Sequence, residues 1–416
     1  MSTRWISAFG LVVFIALAWV FSHERRRFPW RVVVWGVGLQ FLFAVLILRT
    51  DAGRSVFAYA QTVVMRLIGF ADEGARMVFG PLADRAFLRE QWGADRDYIF
   101  LIPVAATIIL VSALSSLLYH WGVLQRVVRA AAWVMQRAMR TSGSESLAAA
   151  ANVFMGQTEA PMVIRPYLAG MTRSELMALM TGGMATIAGG VFAAYVGFGI
   201  SAGHLLTASV LSAPASLMIA KVLWPETETS PTASGSPATV PRETANSIDA
   251  LCRGAADGTT LAINVMAMLI AFVAVVALAN ALFTMVQEAA GVSDPVTLQV
   301  VLGWMNAPFA WLMGVPAKDC VAIGNVLGER LVLNEFVGYL SLTALREQAL
   351  IEPRSQVLAT YALCGFANFG SVAIQIGGIG ALVPQRRSDL AAMGLRAMLG
   401  GVIACYLTAT VAGLLL

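Results

Sequence analysis

Charge is what this chain has least of. Only 12% of its 416 residues are charged, against roughly 25% in a soluble domain. Together with 58% hydrophobic residues and a mean hydropathy of +0.74, this excludes a pair of soluble domains. It points to an all-α polytopic membrane protein. Histidine and cysteine are also scarce. His23, His120 and His204 stand alone near segment ends, and Cys252, Cys320, Cys364 and Cys405 lie in or beside apolar segments. Neither set has metal-site or disulfide spacing, and the cysteines read as small core residues. The net charge of +4 comes almost entirely from Arg. It reads as loop topology, so no nucleic-acid partner is expected. A cleaved signal peptide is excluded as well. The apolar run 5–21 precedes its basic cluster, Arg25, Arg26 and Arg27, which reverses the order such a peptide needs. The run reads as a retained helix ending in the cytoplasm.

What is present is a series of long apolar segments. About 20 residues are needed to cross the hydrocarbon. Eight spans are expected, near 5–22, 31–49, 97–120, 175–198, 203–223, 257–284, 356–383 and 390–415. Basic residues place four loops inside. These are Arg25, Arg26, Arg27 and Arg31; Arg126, Arg129, Arg137 and Arg140; Lys221, Arg242 and Arg253; and Arg386 and Arg387. Both termini then lie outside. Segment 51–96 dissents, because it falls outside yet holds six Arg. Segments 54–80, 124–141 and 293–316 read as interfacial helices. The 225–247 stretch, rich in Pro, Ser, Thr and Gly, reads as a mobile loop.

Two apolar segments, 143–170 and 318–343, carry polar residues at their middle. The first contains Asn152, Gln157, Thr158 and Glu159; the second contains Asn325, Glu329, Arg330, Asn334 and Glu335. Polar irregular backbone at membrane depth is tolerated only inside protein or beside a water-filled cavity. Both segments therefore read as re-entrant hairpins. Each is followed by a charged turn and then by a helix interrupted by glycine and polar residues: ATIAGGV at 185–191 and FANFGSVAI at 366–374. Three expected crossings separate the hairpins, and an odd number inverts the second unit. Inverted repeats with broken helices mark secondary transporters. The organisation expected is a scaffold part at 1–141, a first transport repeat at 142–224, a mobile cytoplasmic loop at 225–250, a second scaffold part at 251–317 and a second transport repeat at 318–416.

An ionisable residue at bilayer depth costs at least ~2.5–3.5 kcal/mol and by default marks a substrate or ion site. Gln157, Thr158, Glu159, Glu335, Asn368 and Ser371 gather two carboxylates with no basic residue clearly opposite. Such a set suits a neutral solute rich in hydroxyl or N–H donors. A ribonucleoside fits that description without being singled out. The freed carbonyls of a broken helix could also coordinate a cation. Blander readings stand beside these. Glu159 and Glu335 could each form a structural ion pair that stabilises its hairpin, Gln157 and Thr158 could cap the hairpin tip, and Asn152 could cap a half-helix. Phe366 could be plain core packing. Arg330 reads as a structural partner of Glu329 or of a nearby carbonyl.

The motifs GQTEAP at 156–161, NEF at 334–336 and GFANFGS at 365–371 closely resemble those of the concentrative nucleoside transporters, over most of the chain from about residue 95. The absence of extra N-terminal helices looks like the bacterial branch. The resemblance implies a homotrimer in the inner membrane, with a scaffold domain around a central axis and a mobile transport domain. It implies uridine-, cytidine- or adenosine-class substrates, with sodium as coupling ion and no organic cofactor. It assigns the base to Gln157, Thr158, Glu159 and Val191, and the ribose to Glu335, Asn368 and Ser371, with Phe366 against either. It assigns sodium to the Asn152 and Thr186 side chains and the Met155 and Ile187 carbonyls. Proton-coupled members lack such polar ligands, so sodium is favoured over a proton. The competing functions are a proton-coupled symporter, a non-transporting gate or receptor on the same fold, and a membrane-embedded hydrolase. The last lacks any nucleophile–base pair.

Overall fold

The computed structural model describes residues 3–93, 99, 101–233 and 244–416. The first residues expected of the third span, Arg242 and the 234–243 part of the expected loop lie outside the described residues. Eighteen α-helices and no strand occur among the described residues. The first six are α1 (Thr3–Val20), α2 (Trp30–Arg49), α3 (Asp51–Phe79), α4 (Arg85–Trp92), α5 (Leu101–His120) and α6 (Val123–Met139). Then comes a hairpin of α7 (Gly143–Asn152) and the short α8 (Ala160–Val163). It is followed by a broken helix, α9 (Arg173–Ala185) and α10 (Gly189–Gly197), and by α11 (Ala202–Leu223). After α12 (Ser247–Ala289) and α13 (Leu298–Leu312) the same order returns. It runs through a hairpin of α14 (Cys320–Val332) and α15 (Glu335–Glu347), a broken helix of α16 (Pro353–Leu363) and α17 (Phe369–Leu382), and a long α18 (Arg387–Leu415).

Local sequence explains the starts. Ser142 and Glu145 form a capping box at α7, and Thr172 and Glu175 form another at α9. In each, a hydroxyl and a carboxylate satisfy backbone N–H groups that the first turn leaves free. Asn334 opens α15 by accepting from Val337 N at 3.0 Å, and Asn368 opens α17 by accepting from Ser371 N at 2.8 Å.

Among the described residues, seven helices, with α9 and α10 counted as one, are long and apolar enough to cross a membrane by length and composition. The expected span 356–383 is split between α16 and α17, and its apolar part has only 14 residues. The expected 257–284 span is far longer, at 43 residues. Asn246 caps it early, accepting from Asp249 N at 2.9 Å.

The core is built on α18, which packs against α1, α9, α11, α16 and α17. The helices α11 and α18 are buried along most of their length, whereas α12 is largely exposed. The partner of α12 is α5. Gly254 and Gly258 permit that approach, since a Cβ on Gly258 would stand 2.8 Å from Ile109 Cα. Small residues four apart serve helix packing in membranes in this way.

The helix ends sort into two groups. Arg4 donates to the Leu416 carbonyl at 3.0 Å, and Arg49 donates to that of Leu415. The N- and C-terminal ends therefore share a side with the end of α2. The basic loops meet one another elsewhere. Arg31 donates to the Ala138 carbonyl at 3.3 Å, Arg386 to the Met171 carbonyl at 2.5 Å, and Arg173 pairs with Asp389 at 3.1 Å.

The loop expected to be mobile is not free at its start. Thr232 is buried, and its carbonyl accepts from Gly143 N at 3.0 Å. Ser230 donates to Glu175 at 2.6 Å, and Thr172 donates to Glu226 at 2.9 Å. Lys221 is buried between Glu145 at 2.6 Å and Glu226 at 3.2 Å. Residues 225–233 thus supply hydroxyls and a carboxylate that buried charges at the base of the first hairpin need. At its other end the expected loop is cut short, because α12 begins at Ser247.

Candidate functional site at two crossed helix breaks

The two helix breaks touch. Phe366 N donates to the Thr186 carbonyl at 3.3 Å. Gly365 allows the approach, since a Cβ there would stand 2.7 Å from the Met184 carbonyl oxygen. Each hairpin tip adds its polar residues to this crossing.

The tip of hairpin 1 runs from 153 to 159 and is fastened to the first break. Gly189 N donates to the Phe154 carbonyl at 3.3 Å. A Cβ on Gly156 would meet Ala188 at 3.1 Å. Two glycines of α9 make further room. A Cβ on Gly182 would stand 2.9 Å from Asn152 Nδ2, and one on Gly183 would stand 2.6 Å from Gln375 Nε2 and 3.0 Å from Gln157 Cβ. Gln157 is buried and donates to Ser371 Oγ at 3.0 Å. Its carbonyl accepts from Gln375 Nε2 at 3.1 Å, and that group also reaches the Met180 carbonyl at 3.1 Å. Thr158 and Glu159 are exposed. Glu159 accepts from Gly156 N at 3.2 Å within its own tip.

Hairpin 2 contributes Glu335, the first residue of α15, which is buried. One carboxylate oxygen accepts from Tyr195 OH at 2.9 Å, the other from Asn368 Nδ2 at 3.3 Å. A continuous hydrogen-bonded line results. It passes from Tyr195 to Glu335, Asn368, Ser371, Gln157 and Gln375, and so joins both hairpins and both broken helices. Val191 is buried one turn before Tyr195 on α10, and Phe366 is half-buried against the core.

The residues read as cation ligands gather at the first break. Asn152 ends α7 and is buried, and neither its Nδ2 nor its Oδ1 has a hydrogen-bond partner. Thr186 is buried and donates to the Gly182 carbonyl at 2.9 Å, which leaves its oxygen free to accept. Ile187 is buried and Met155 half-buried beside them. Uncharged oxygen donors of this kind suit a hard cation. Among the described residues no cluster of His, Cys, Asp and Glu could hold a metal ion.

Sequence reasoning missed two members of the line. Tyr195 lies in an apolar run and reads as packing. Gln375 follows Ser371 by four residues on α17, so a shared helical face was the available signal.

Three family descriptions match consecutive parts of the chain. They are the N-terminus of the Na+ dependent nucleoside transporter at 9–82, nucleoside recognition (Gate) at 101–202, and the C-terminus of the Na+ dependent nucleoside transporter at 204–413. An uncharacterized transporter of Haemophilus influenzae is 40% identical, over 98% of this chain and 97% of its own length. Solute carrier family 28 member 3 of Eptatretus stoutii is 39% identical over 99% of this chain. The chain spans only 60% of the length of that relative. The solved structure of CNTnw in an inward-facing substrate-bound state superposes with a TM-score of 0.93 at 36% identity, covering 99% of this chain and 97% of that one. The chain belongs to the concentrative, Na+-dependent nucleoside transporter family, a family of transporters and not of enzymes.

Proposed function

We propose that this protein is a sodium-coupled symporter that imports nucleosides across a bacterial inner membrane by alternating access. The observation that carries the reading is the hydrogen-bonded line across the two breaks, with the unpartnered Asn152 beside it. The line offers what a neutral, polyhydroxylated ligand needs. Glu335 and Asn368 take the ribose hydroxyls with Ser371, while Gln157, Thr158 and Glu159 read the base against Val191. Phe366 packs on the ligand. Sodium is held by the Asn152 amide, the Thr186 hydroxyl and the Met155 and Ile187 carbonyls.

Coupling follows from position. Sodium at the first break pins the tip of hairpin 1, and that tip carries Gln157 to Ser371. Binding the ion therefore completes the nucleoside site. One positive charge moving through about 100 mV supplies about 2.3 kcal/mol. That corresponds to roughly fifty-fold accumulation before the sodium gradient is added. The carriers of the movement are the two hairpin-and-broken-helix repeats, which shift against a scaffold of α1 to α6, α12 and α13 in a homotrimer. The proposed topology has eight crossings, the hairpins re-entrant and both termini periplasmic. The side where Arg31, Arg173 and Arg386 meet their partners is then cytoplasmic.

Uptake of radiolabelled uridine into proteoliposomes tests the proposal. Uptake is expected to require an inward sodium gradient. Uptake driven equally well by a proton gradient without sodium would favour the proton-coupled alternative.

A further inference from the structure

The second repeat holds a charge that the proposed function leaves unexplained. Arg330 lies in the last turn of α14 and is fully buried. Its NH1 donates to the carbonyl of Ala362, in the last turn of α16. Its Nε and NH2 find no hydrogen-bond acceptor among the described residues, although the Cys405 thiol lies beside the group. Its stem lies against Gly338 of α15, where a Cβ would stand at an ordinary contact distance of 3.6 Å from Arg330 Cβ. Glu335 lies on the same face of α15, three residues before Gly338.

The first repeat has the same arrangement without the charge. Asn152, in the last turn of α7, faces Gly182 in the last turn of α9. In both repeats, then, the end of the first hairpin helix addresses the C-terminal end of the first half of a broken helix. That end carries carbonyls with no partner within the helix and the negative pole of the helix dipole. Buried, it needs a positive partner. Repeat 2 has a guanidinium there. Repeat 1 has only uncharged donors there, and among them the Asn152 amide has no partner among the described residues.

We infer that Arg330 is a built-in cation that does for the second repeat what the coupling sodium ion does for the first. It balances the buried end of α16 and the Glu335 carboxylate, so the sugar half of the site stands ready without an ion of its own. This inference rests on the sodium site proposed above. Arg330 is a positioning residue. It touches no substrate and acts through Glu335 and the α16 end.

Purified protein tests this with uridine affinity by calorimetry at saturating sodium. Sodium-induced thermal stabilisation is measured separately, without nucleoside. Arg330→Lys keeps the charge and holds uridine affinity within about threefold of the parent, whereas Arg330→Gln lowers it by about tenfold or more. Both keep the parent's sodium-induced stabilisation, because Arg330 is not a sodium ligand. A folded Arg330→Gln protein that binds uridine like the parent overturns the inference. So does an Arg330→Lys protein as impaired as Arg330→Gln, since the role would then be one of shape. If Arg330→Gln yields no folded protein, the double variant Arg330→Gln/Glu335→Gln decides. Removing both charges is expected to restore a monodisperse protein, and failure to do so overturns the inference. A parent with no sodium-induced stabilisation refutes the sodium site alone, because the Arg330 comparison is read with uridine.

Discussion

Hairpin 2 turns over at Leu333 and Asn334, and the polar side chains there are already engaged. Asn334 caps α15, and Glu335 accepts from both Tyr195 and Asn368. Hairpin 1 turns over through the longer 153–159 stretch. Its Thr158 and Glu159 are exposed, and Asn152 behind them is buried with no partner at either atom. A buried unsatisfied polar group costs about 1–3 kcal/mol. Hairpin 1 thus carries this cost beside its tip, where a bound cation would relieve it, whereas the unsatisfied groups of hairpin 2, Arg330 Nε and NH2 among them, lie within α14. The difference teaches where coupling resides. On the proposed reading, one half of the site is preformed, and the other is completed by the coupling ion.

The largest expected effect comes from breaking the preformed half. Glu335→Ala removes the acceptor of two buried donors, Tyr195 OH and Asn368 Nδ2. Leaving each donor unsatisfied costs about 1–3 kcal/mol, in addition to the loss of the proposed ribose contact. Uridine uptake in proteoliposomes is expected to fall to background. Near-parental uptake would mean that the sugar is held elsewhere.

Asn152→Ala attacks the other half and should act differently. Asn152 has no hydrogen bond to lose and a buried unsatisfied amide to shed, so the sodium-free protein is expected to melt at or above the parental temperature. Sodium stabilises by mass action on the folded state, and that gain should vanish. The sodium concentration for half-maximal uptake is expected to rise by about tenfold or more, a loss of about 1.4 kcal/mol. A parental sodium dependence would make Asn152 a half-helix cap instead.

The contrast between these halves was only partly legible in the sequence. GQTEAP and NEF stand out because polar residues at membrane depth have few reasons to be there, and the glycines around them mark where helices cannot continue. The two hairpins and two broken helices follow from that. The difference in how the tips are held does not. It depends on Tyr195 reaching Glu335 across 140 positions of sequence, and a tyrosine in an apolar run carries no sign of that partner. The anchored 225–233 stretch was hidden for the same reason. Its Ser and Thr content reads as loop, and only the folded chain brings Ser230 and Thr232 to the buried Glu175. The length of α12 was missed because hydropathy sees its apolar centre and not its capped polar start.

Tyr195→Phe sharpens the comparison more gently. It removes one of the two donors to Glu335 while keeping the ring, which packs against Phe336 and Tyr339 at 4.9 and 4.5 Å between centroids. Asn368 still fixes the other oxygen. A hydrogen bond to a charged group is worth about 1.5–3 kcal/mol, part of which the bound ribose replaces. Uridine affinity by calorimetry is expected to weaken by about tenfold at most, with sodium-induced stabilisation unchanged. An equal loss in both would show that the two halves are not separable.

The smallest effect tests whether hairpin 1 is loose only at its tip. Its base is held by Glu175, one oxygen of which accepts from Ser142, Ser144, Ser230 and Thr232. Ser230→Ala removes one donor of that set and leaves three in place. The expected loss of stability is about 1 kcal/mol or less, read as a small drop in thermal midpoint. Uridine and sodium affinities should both stay parental, because neither Gln157 nor Asn152 touches this cluster. If Ser230→Ala instead weakened sodium binding, the base and the tip of hairpin 1 would move as one body. The looseness ascribed to the tip would then belong to the whole hairpin, with the 225–233 stretch as part of the coupling machinery.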